Sequence, residues 1–263
     1  MDLYDSILKR KSIRHYRQEP IDTEVINAIR KFITEQNHLY INIETTIEII
    51  EAQNLTQYFI SQIPIKAPYY LAITSQKEHG FGENVGYLGE QIIAFLNSIG
   101  MGTCWLGTLR ENESSFQLPF IIAIAFGYPD ETLYRDNLNK IQRLPVEKIC
   151  IQPPQNDFMK EVVQVVRIAP SGINRQPWRL EPDSSMLHLY CEHPSFLTPV
   201  NGNKIKGLMP GAILKKMQGI DCGIALAHIL IYSIHHGQKA NFKRLDEYEF
   251  KHKKLTYIMS AIL

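Results

Sequence analysis

The segment GYLGEQIIAFLNSIGMGTCW, Gly86–Trp105, has a second version later in the chain, GIALAHILIYSIHHGQKANF, Gly223–Phe242. The two segments align without a gap, so that Gly100 falls on Gly237. A constant offset over roughly forty residues is the sequence signature of an internal repeat. The chain therefore reads as two copies of one unit.

The same register continues beyond the two segments, because FIIAIAF at 120–126 falls on YIMSAIL at 257–263. Each copy thus reads as a helix, a glycine and two strands. Apolar residues at helical spacing predict a helix over Val85–Ile99, which Gly100 ends as a C-cap would. Its counterpart, Ile220–Ile234, is apolar nearly all round and is expected to be buried in the core.

The remaining pattern mixes helices and strands with few βαβ alternations, which favours an α+β sandwich. Helices are predicted at Asp22–Gln36, with Asp22 or Thr23 as N-cap, and at Asn156–Ile168. We place the two halves at 1–150 and 151–263. Strands are predicted at Ile41–Ile50, Tyr69–Thr74, Met186–Tyr190 and Leu255–Leu263.

Composition excludes several classes of protein. The net charge of +1 argues against bulk binding to nucleic acid or to an anionic membrane. No apolar stretch looks long enough for a membrane span, and the charged N-terminus does not fit a signal peptide. We expect a cytoplasmic protein with no metal site. Its four cysteines, which form no CxxC pair, are Cys104, Cys150, Cys191 and Cys222.

A basic segment, KRKSIRHYRQEP, spans Lys9–Pro20. Arg10, Ser12 and Arg14 alternate, so an extended backbone would place all three on one side. Two guanidinium groups and a hydroxyl group on one side suit a phosphate. The alternative is a solvated helix end, where cations complement the helix dipole.

The segment APSGINRQPW, Ala169–Trp178, is too polar and too broken by proline for a helix or strand. Uncharged donors and acceptors beside Gly172 suit a planar heterocycle with polar edges. The alternative is an irregular surface loop, where the same residue types are common. Arg143, in IQRLP, is either a further ligand-binding cation or a solvated loop arginine.

These motifs together resemble those of the FMN-dependent nitroreductase family. KRKSIRHY resembles the family's Arg-x-Ser-x-Arg signature, and APSGINRQPWRL resembles its Ala-Pro-Ser-x-x-Asn-x-Gln-Pro-Trp motif. GMGTCWLG, FGYP and QRLP resemble the segments that pass and follow the flavin ring in that family. The resemblance spans most of the chain and implies a nitroreductase-like fold that binds FMN.

The resemblance also implies a role for each matched residue. Arg10, Ser12 and Arg14 would hold the phosphate and ribityl end of FMN, and Arg143 would add a cation. Backbone N–H groups of Leu106 and Gly107 would face the flavin ring near N5. Gln176 and Trp178 would shape the loop. The residues expected to line the ring are Pro170, Ser171, Gly172 and Asn174.

The order of the motifs departs from the family pattern. In ordinary members the Pro-Ser motif follows the Arg-x-Ser-x-Arg motif closely, and two chains share each flavin. Here FITEQN, Phe32–Asn37, stands at that place, and the Pro-Ser loop follows residue 150. VEKICI, opposite Arg10–Arg14 in the repeat, has no arginine. We therefore predict a pseudo-dimer within one chain, with one complete flavin site and one inactive site.

The implied activity is reduction of small aromatic acceptors, nitroaromatics or quinones, by NADH or NADPH bound in turn over the flavin. This scheme needs no side-chain acid or base, so we name no catalytic residue. The alternatives are a non-enzymatic FMN store or redox sensor, and specialised chemistry such as reductive dehalogenation or flavin breakdown. A monomer should suffice for binding, with weak homodimers possible.

Overall fold

The computed structural model describes residues 1–60, 65–112, 115–137, 141–193, 197–200, 203–206, 211–249 and 251–263, with the backbone alone for 197–200 and 203–206. The chain divides into two compact units, Met1–Leu138 and Asn139–Leu263. This boundary lies earlier than the one placed after residue 150. The reason is that residues before 151 already pair within unit 2: the Leu144 N–H donates to the side-chain oxygen of Gln176 at 2.7 Å, and Cys150 forms a parallel bridge with Leu180.

Unit 1 has an antiparallel four-stranded sheet in the order β1-β2-β4-β3. The long helix α4 packs on this sheet and on α1 and α2. The helices are α1 (Leu3–Lys9), α2 (Thr23–Thr34), α3 (Leu55–Tyr58) and α4 (Phe81–Ser98), and the strands are β1 (Thr45–Glu51), β2 (Tyr69–Ser75), β3 (Gly102–Leu106) and β4 (Phe120–Gly127).

Unit 2 has a second antiparallel sheet in the order β5-β6-β10-β9 and a separate β7-β8 hairpin. The long helix α7 packs on this sheet and on α6. The helices are α5 (Val146–Ile149), α6 (Asp157–Arg167) and α7 (Gly211–His235), and the strands are β5 (Trp178–Pro182), β6 (Met186–Glu192), β7 (Leu197–Val200), β8 (Asn203–Lys206), β9 (Asn241–Lys243) and β10 (Leu255–Ile262).

Both four-stranded sheets have the same strand order. In each sheet the strand that comes last in the chain, β4 or β10, lies between the sheet's second and third strands. The ends of the long helices also match. The Met101 N–H donates to the Leu96 carbonyl oxygen at 2.9 Å, and the Gln238 N–H donates to the Ser233 carbonyl oxygen at 2.8 Å. Such bonds characterise a helix C-cap closed by a left-handed residue. In the two helices these residues are Gly100 (φ 89°) and Gly237 (φ 68°).

Most predicted elements are present, but α7 begins at Gly211 and not at the predicted Ile220, because exposed residues such as Lys215 interrupt the apolar pattern in its first turns. Helix α6 begins after Asn156, whose side chain accepts the Met159 N–H at 2.8 Å as an N-cap. The strand predicted over Ile41–Ile50 begins only at Thr45. The backbone forms a turn just before it, in which the Ile43 N–H bonds to the Tyr40 carbonyl oxygen.

The two long helices are buried on almost every side. In α4 every residue from Asn84 to Ala94 is buried, and in α7 every residue from Ile220 to Ser233 except Leu230. By length and composition α7 could cross a membrane, which corrects the expectation that no stretch is long enough. However, 83% of its most apolar window is buried within the protein, as in a core helix.

A buried polar cluster lies on the sheet of unit 2. The Glu181 carboxylate accepts the Lys251 ammonium at 2.7 Å and the Tyr190 hydroxyl at 3.0 Å. Its second oxygen also lies 3.2 Å from His252 Nε2. Burial alone would raise the pKa of Glu181, but these hydrogen bonds lower it overall. The cluster ties the segment that carries Lys251 to the sheet.

His188 belongs to the same cluster and is almost fully buried. Its Nδ1 lies 2.6 Å from Ser260 Oγ, and its Nε2 lies 3.7 Å from a carboxylate oxygen of Asp183. Burial lowers the pKa of His188, the carboxylates of Asp183 and Glu181 oppose the shift, and the charge of Lys251 adds to it. The imidazole is therefore held neutral in the folded protein.

We predict that acidification destabilises unit 2 through His188. Because the folded state holds the pKa of His188 below its ordinary value of 6.5, the unfolded chain takes up the proton first. The free energy of unfolding should be unaffected by this group above about pH 6.5 and should fall below it, by up to about 1.4 kcal/mol per pH unit. Urea unfolding across this range, with His188→Gln as control, measures the effect. An equal slope in both proteins would contradict the prediction.

Candidate functional site

The basic segment of unit 1 runs alongside β3 as extended backbone. Ser12 pairs with Thr103 in a parallel bridge, and the Ile13 N–H donates to the Thr103 carbonyl oxygen at 2.9 Å. Ile13 is fully buried against Gly102, where a Cβ atom would lie 2.8 Å from the isoleucine side chain. The glycine therefore permits the close approach of segment and strand.

The guanidinium group of Arg10 is buried, with 3% of the residue exposed. Its Nε lies 4.0 Å from a carboxylate oxygen of Glu90, which is itself completely buried on α4. Among the residues that the structure describes, Nε and Nη2 of Arg10 have no hydrogen-bond acceptor. Leaving such a group unsatisfied costs about 1–3 kcal/mol, and more when it is charged. An anionic ligand would supply the missing acceptors.

Glu90 was not found by sequence reasoning. Its second carboxylate oxygen accepts the indole N–H of Trp105 at 3.0 Å. It therefore connects the buried arginine to β3. The signal that could have revealed it is a charged residue within GYLGEQIIAFL, an otherwise uncharged stretch with apolar residues on most faces of the helix. A buried charge of that kind requires a partner.

Arg14 has an exposed side chain, but its backbone is fixed. The N–H groups of Arg14 and His15 donate to one carboxylate oxygen of Glu131, at 2.9 and 3.2 Å. The Lys11 ammonium donates to the other oxygen at 3.3 Å. The Arg14 N–H makes the largest contribution in lowering the pKa of Glu131 to about 2. Glu131 thus anchors the segment without occupying the guanidinium group of Arg14.

The three residues predicted to hold a phosphate all act on the thiol of Cys104, in the middle of β3. Burial raises the pKa of Cys104, while the charges of Arg14 and Arg10 and a hydrogen bond from Ser12 act in the opposite direction. Two residues further on, Leu106 is buried at the end of the strand, and Gly107 is exposed in the turn that follows.

In unit 2, the Pro-Ser loop, residues 169–177, has an unusual backbone. Ile173, Asn174 and Gln176 have φ angles of 49°, 57° and 52°, in the left-handed region. Residues other than glycine rarely adopt this backbone region, and a β-branched residue such as isoleucine does so least of all. Conformations of this kind cost about 1–3 kcal/mol each and persist only where surrounding contacts hold them.

Arg143 supplies many of those contacts. Its guanidinium group donates to the carbonyl oxygens of Ala169 and Ile168 at 3.0 and 3.1 Å. It also donates to the side-chain oxygen of Asn174 at 2.8 Å. The structure thus places Arg143 on the Pro-Ser loop, and its expected contact with a phosphate stays a prediction.

Gln176 holds the loop from within, as the sequence suggested. Its backbone N–H donates to Ser171 Oγ at 2.9 Å, and its side-chain N–H donates to the Asn174 carbonyl oxygen at 3.2 Å. Its side-chain oxygen accepts the Leu144 N–H at 2.7 Å. Since the amide of Asn174 bonds to Arg143 and Gln142, the loop presents mainly backbone groups and the Ser171 hydroxyl hydrogen to a ligand.

Asp221, on α7, is a further residue that sequence reasoning missed. Its carboxylate is fully buried and accepts the Gly172 N–H at 2.8 Å. Burial raises the pKa of Asp221 well above its usual value, although the Gly172 N–H and the charge of Arg175 oppose the shift. At the matching position of α4, Asn84 accepts the N–H groups of Leu39 and Tyr40 at 2.9 and 3.1 Å. Asn84 on α4 therefore holds the loop that follows α2, and Asp221 on α7 holds the loop that follows α6.

The comparisons identify the family. The model described as "Putative TM nitroreductase" matches residues 2–233, so the chain belongs to that nitroreductase family. A "putative nitroreductase" of Thermotoga maritima msb8 has the same fold, with 20% identity, a TM-score of 0.67 and coverage of 100% of this chain and 94% of that chain. No curated protein matches the chain. The predicted α+β, nitroreductase-like fold is confirmed.

Other solved nitroreductases align with about half of this chain. A nitroreductase family protein of Clostridium novyi NT covers 50% of this chain and 87% of its own, at 18% identity and a TM-score of 0.43. An FMN-dependent nitroreductase of Clostridium difficile R20291 covers 52% and 96%, at 18% identity and a TM-score of 0.39.

We predict that the acceptor oxygen at position 221 matters more than the charge. Asp221→Ala should lower the free energy of unfolding by about 1–3 kcal/mol, because the Gly172 N–H loses its partner. Asp221→Asn should lose less, since an amide oxygen fills this role at Asn84. Urea unfolding of both variants decides the point, with Asn84→Ala as the matched change in unit 1. Equal losses for the two Asp221 variants would refute the prediction.

Proposed function

We propose that the protein is an FMN-dependent oxidoreductase. The observation that carries the proposal is the buried guanidinium group of Arg10. Its nitrogens Nε and Nη2 have no hydrogen-bond acceptor among the described residues. Such a group fits the phosphate of FMN, because charge-assisted hydrogen bonds to phosphate are strong. Family membership adds the expectation of flavin chemistry.

In this proposal Arg10, Ser12 and Arg14 bind the phosphate and ribityl end. Backbone N–H groups of Leu106 and Gly107 face the ring near N5, and Arg143 keeps the loop in shape while adding positive charge. Bound FMN would supply the redox chemistry, taking hydride from NADH or NADPH and passing electrons to a quinone or nitroaromatic acceptor. The loop residues that would line the ring are Pro170, Ser171, Gly172 and Asn174.

The pseudo-dimer is part of the same proposal. The shared strand order, the matching C-caps at Gly100 and Gly237 and the matching roles of Asn84 and Asp221 all support a duplicated ancestor. The second site would be inactive, because the counterpart of the phosphate-binding segment forms α5 and the buried Ile149 instead. The chain would then act as a cytoplasmic protein with one FMN.

Purified protein should be yellow, and the cofactor released by denaturation should be FMN. With a quinone or a nitroaromatic compound, it should oxidise NADH or NADPH over many turnovers. FAD, or no flavin at all, would overturn the cofactor assignment. Bound FMN with slow or no turnover would favour a store or sensor instead. Because hydride transfer in this scheme needs no general acid or base from a side chain, substituting such a group is not expected to abolish it.

We predict that one monomer suffices to bind one FMN. The mass in solution, measured with the flavin bound and followed to low protein concentration, should reach that of a single chain of 30.3 kDa without loss of FMN. Weak association at high concentration would be compatible with this result. Release of FMN in step with dissociation to monomers would show that the Pro-Ser loop serves the phosphate site of another chain.

A further inference from the structure

A second arginine lies beside Arg10 in unit 1, contributed by a segment distant in sequence. Tyr134 forms an antiparallel bridge with Arg10, and the Arg135 N–H donates to the Lys9 carbonyl oxygen at 2.9 Å. The Tyr134 hydroxyl donates to the Asn97 carbonyl oxygen at 2.7 Å, at the end of α4. The backbone at Arg135 is thus fixed on both sides.

The side chain of Arg135 turns onto the same residue. Its Nε donates to the Arg10 carbonyl oxygen at 2.5 Å. Burial, and next the positive charge of Arg10, lower the pKa of Arg135. The Arg135 guanidinium group is therefore fixed on the Arg10 backbone, partly out of water and within reach of the positive charge of Arg10.

No carboxylate of the described residues forms a hydrogen bond or ion pair with Arg135. Glu90 lies 4.0 Å from Arg10 and bonds to Trp105. Glu131 is taken by Lys11 and by backbone N–H groups. The described residues of unit 1 thus balance the positive charge of Arg10 and Arg135 only in part, which suits an anion with more than one charge.

We infer that Arg135 is a third cation for the phosphate of FMN, beside Arg10 and Arg14. The inference rests on the proposed function. It differs from the role expected of Arg143, whose guanidinium group bonds to two groups of the Pro-Ser loop and to the Ile168 carbonyl oxygen just before it. Arg135 instead belongs to the unit that holds Arg10, Ser12 and Arg14.

The test compares FMN with riboflavin, which has the same ring but no phosphate. Apoprotein is titrated with each, and binding is followed by quenching of flavin fluorescence. Arg135→Ala should weaken FMN binding about tenfold or more and leave riboflavin binding unchanged. Arg14→Ala should behave in the same way. Arg17→Ala is the control, because Arg17 is an exposed arginine paired with Glu19, and it should bind both flavins normally.

Two further variants separate direct binding from an effect on Arg10. In an Arg10→Ala background, Arg135→Ala should still weaken FMN binding, and loss of its effect there would overturn the inference. Arg135→Lys, which keeps the charge, should retain more affinity than Arg135→Ala and covers the case in which the alanine variant does not fold. Equal weakening of FMN and riboflavin binding would also overturn it.

If the unaltered protein binds no FMN, the proposed function fails. If it binds FMN and Arg135→Ala has no effect, only this inference fails.

Discussion

The ion pair of Arg10 and Glu90 lies in a part of unit 1 that is shut off from water. A buried carboxylate on α4 requires a cation, and Arg10 is brought to it by the extended segment along β3. At 4.0 Å the pair leaves Nε and Nη2 of Arg10 without acceptors among the described residues, and the other carboxylate oxygen of Glu90 accepts the indole N–H of Trp105. The helix, the segment and β3 are therefore positioned together.

The two units share one arrangement of sheet and long helix but differ in the residues buried on the sheet. Each inserts its last strand into the middle of a four-stranded sheet and covers the sheet with a long buried helix. In unit 1 the sheet contributes Tyr70, Ala123 and Ala125 to a cluster of buried apolar residues. Unit 2 has buried polar groups, centred on Glu181 and His188, on its sheet.

Local signals in the sequence predicted local structure well. Helical spacing followed by a glycine located the C-terminal ends of α4 and α7, because a left-handed C-cap depends on a few neighbouring residues. Motif resemblance predicted the fold that the comparisons confirm. Asp221 and Arg135 were missed because their partners are 49 and 125 positions away. Asp221 is a charge in the apolar stretch Ile220–Ile234, which indicates that it needs a partner but not which one. The unit boundary and the start of β1 differed because long-range pairing, such as the bridge of Cys150 with Leu180, and a turn at Ile43 decide them.

The left-handed backbone of the Pro-Ser loop has a consequence for how this protein can be altered. Three residues without the freedom of glycine hold their shape only while Arg143, the Gln176 side chain and Asp221 hold the chain around them. Arg143 and Asp221 lie outside the loop, and so does Leu144, the partner of the Gln176 side chain. Grafting APSGINRQPW alone into another scaffold, or into the Phe32–Asn37 position of unit 1, would therefore transfer the sequence without the contacts that hold its backbone conformation.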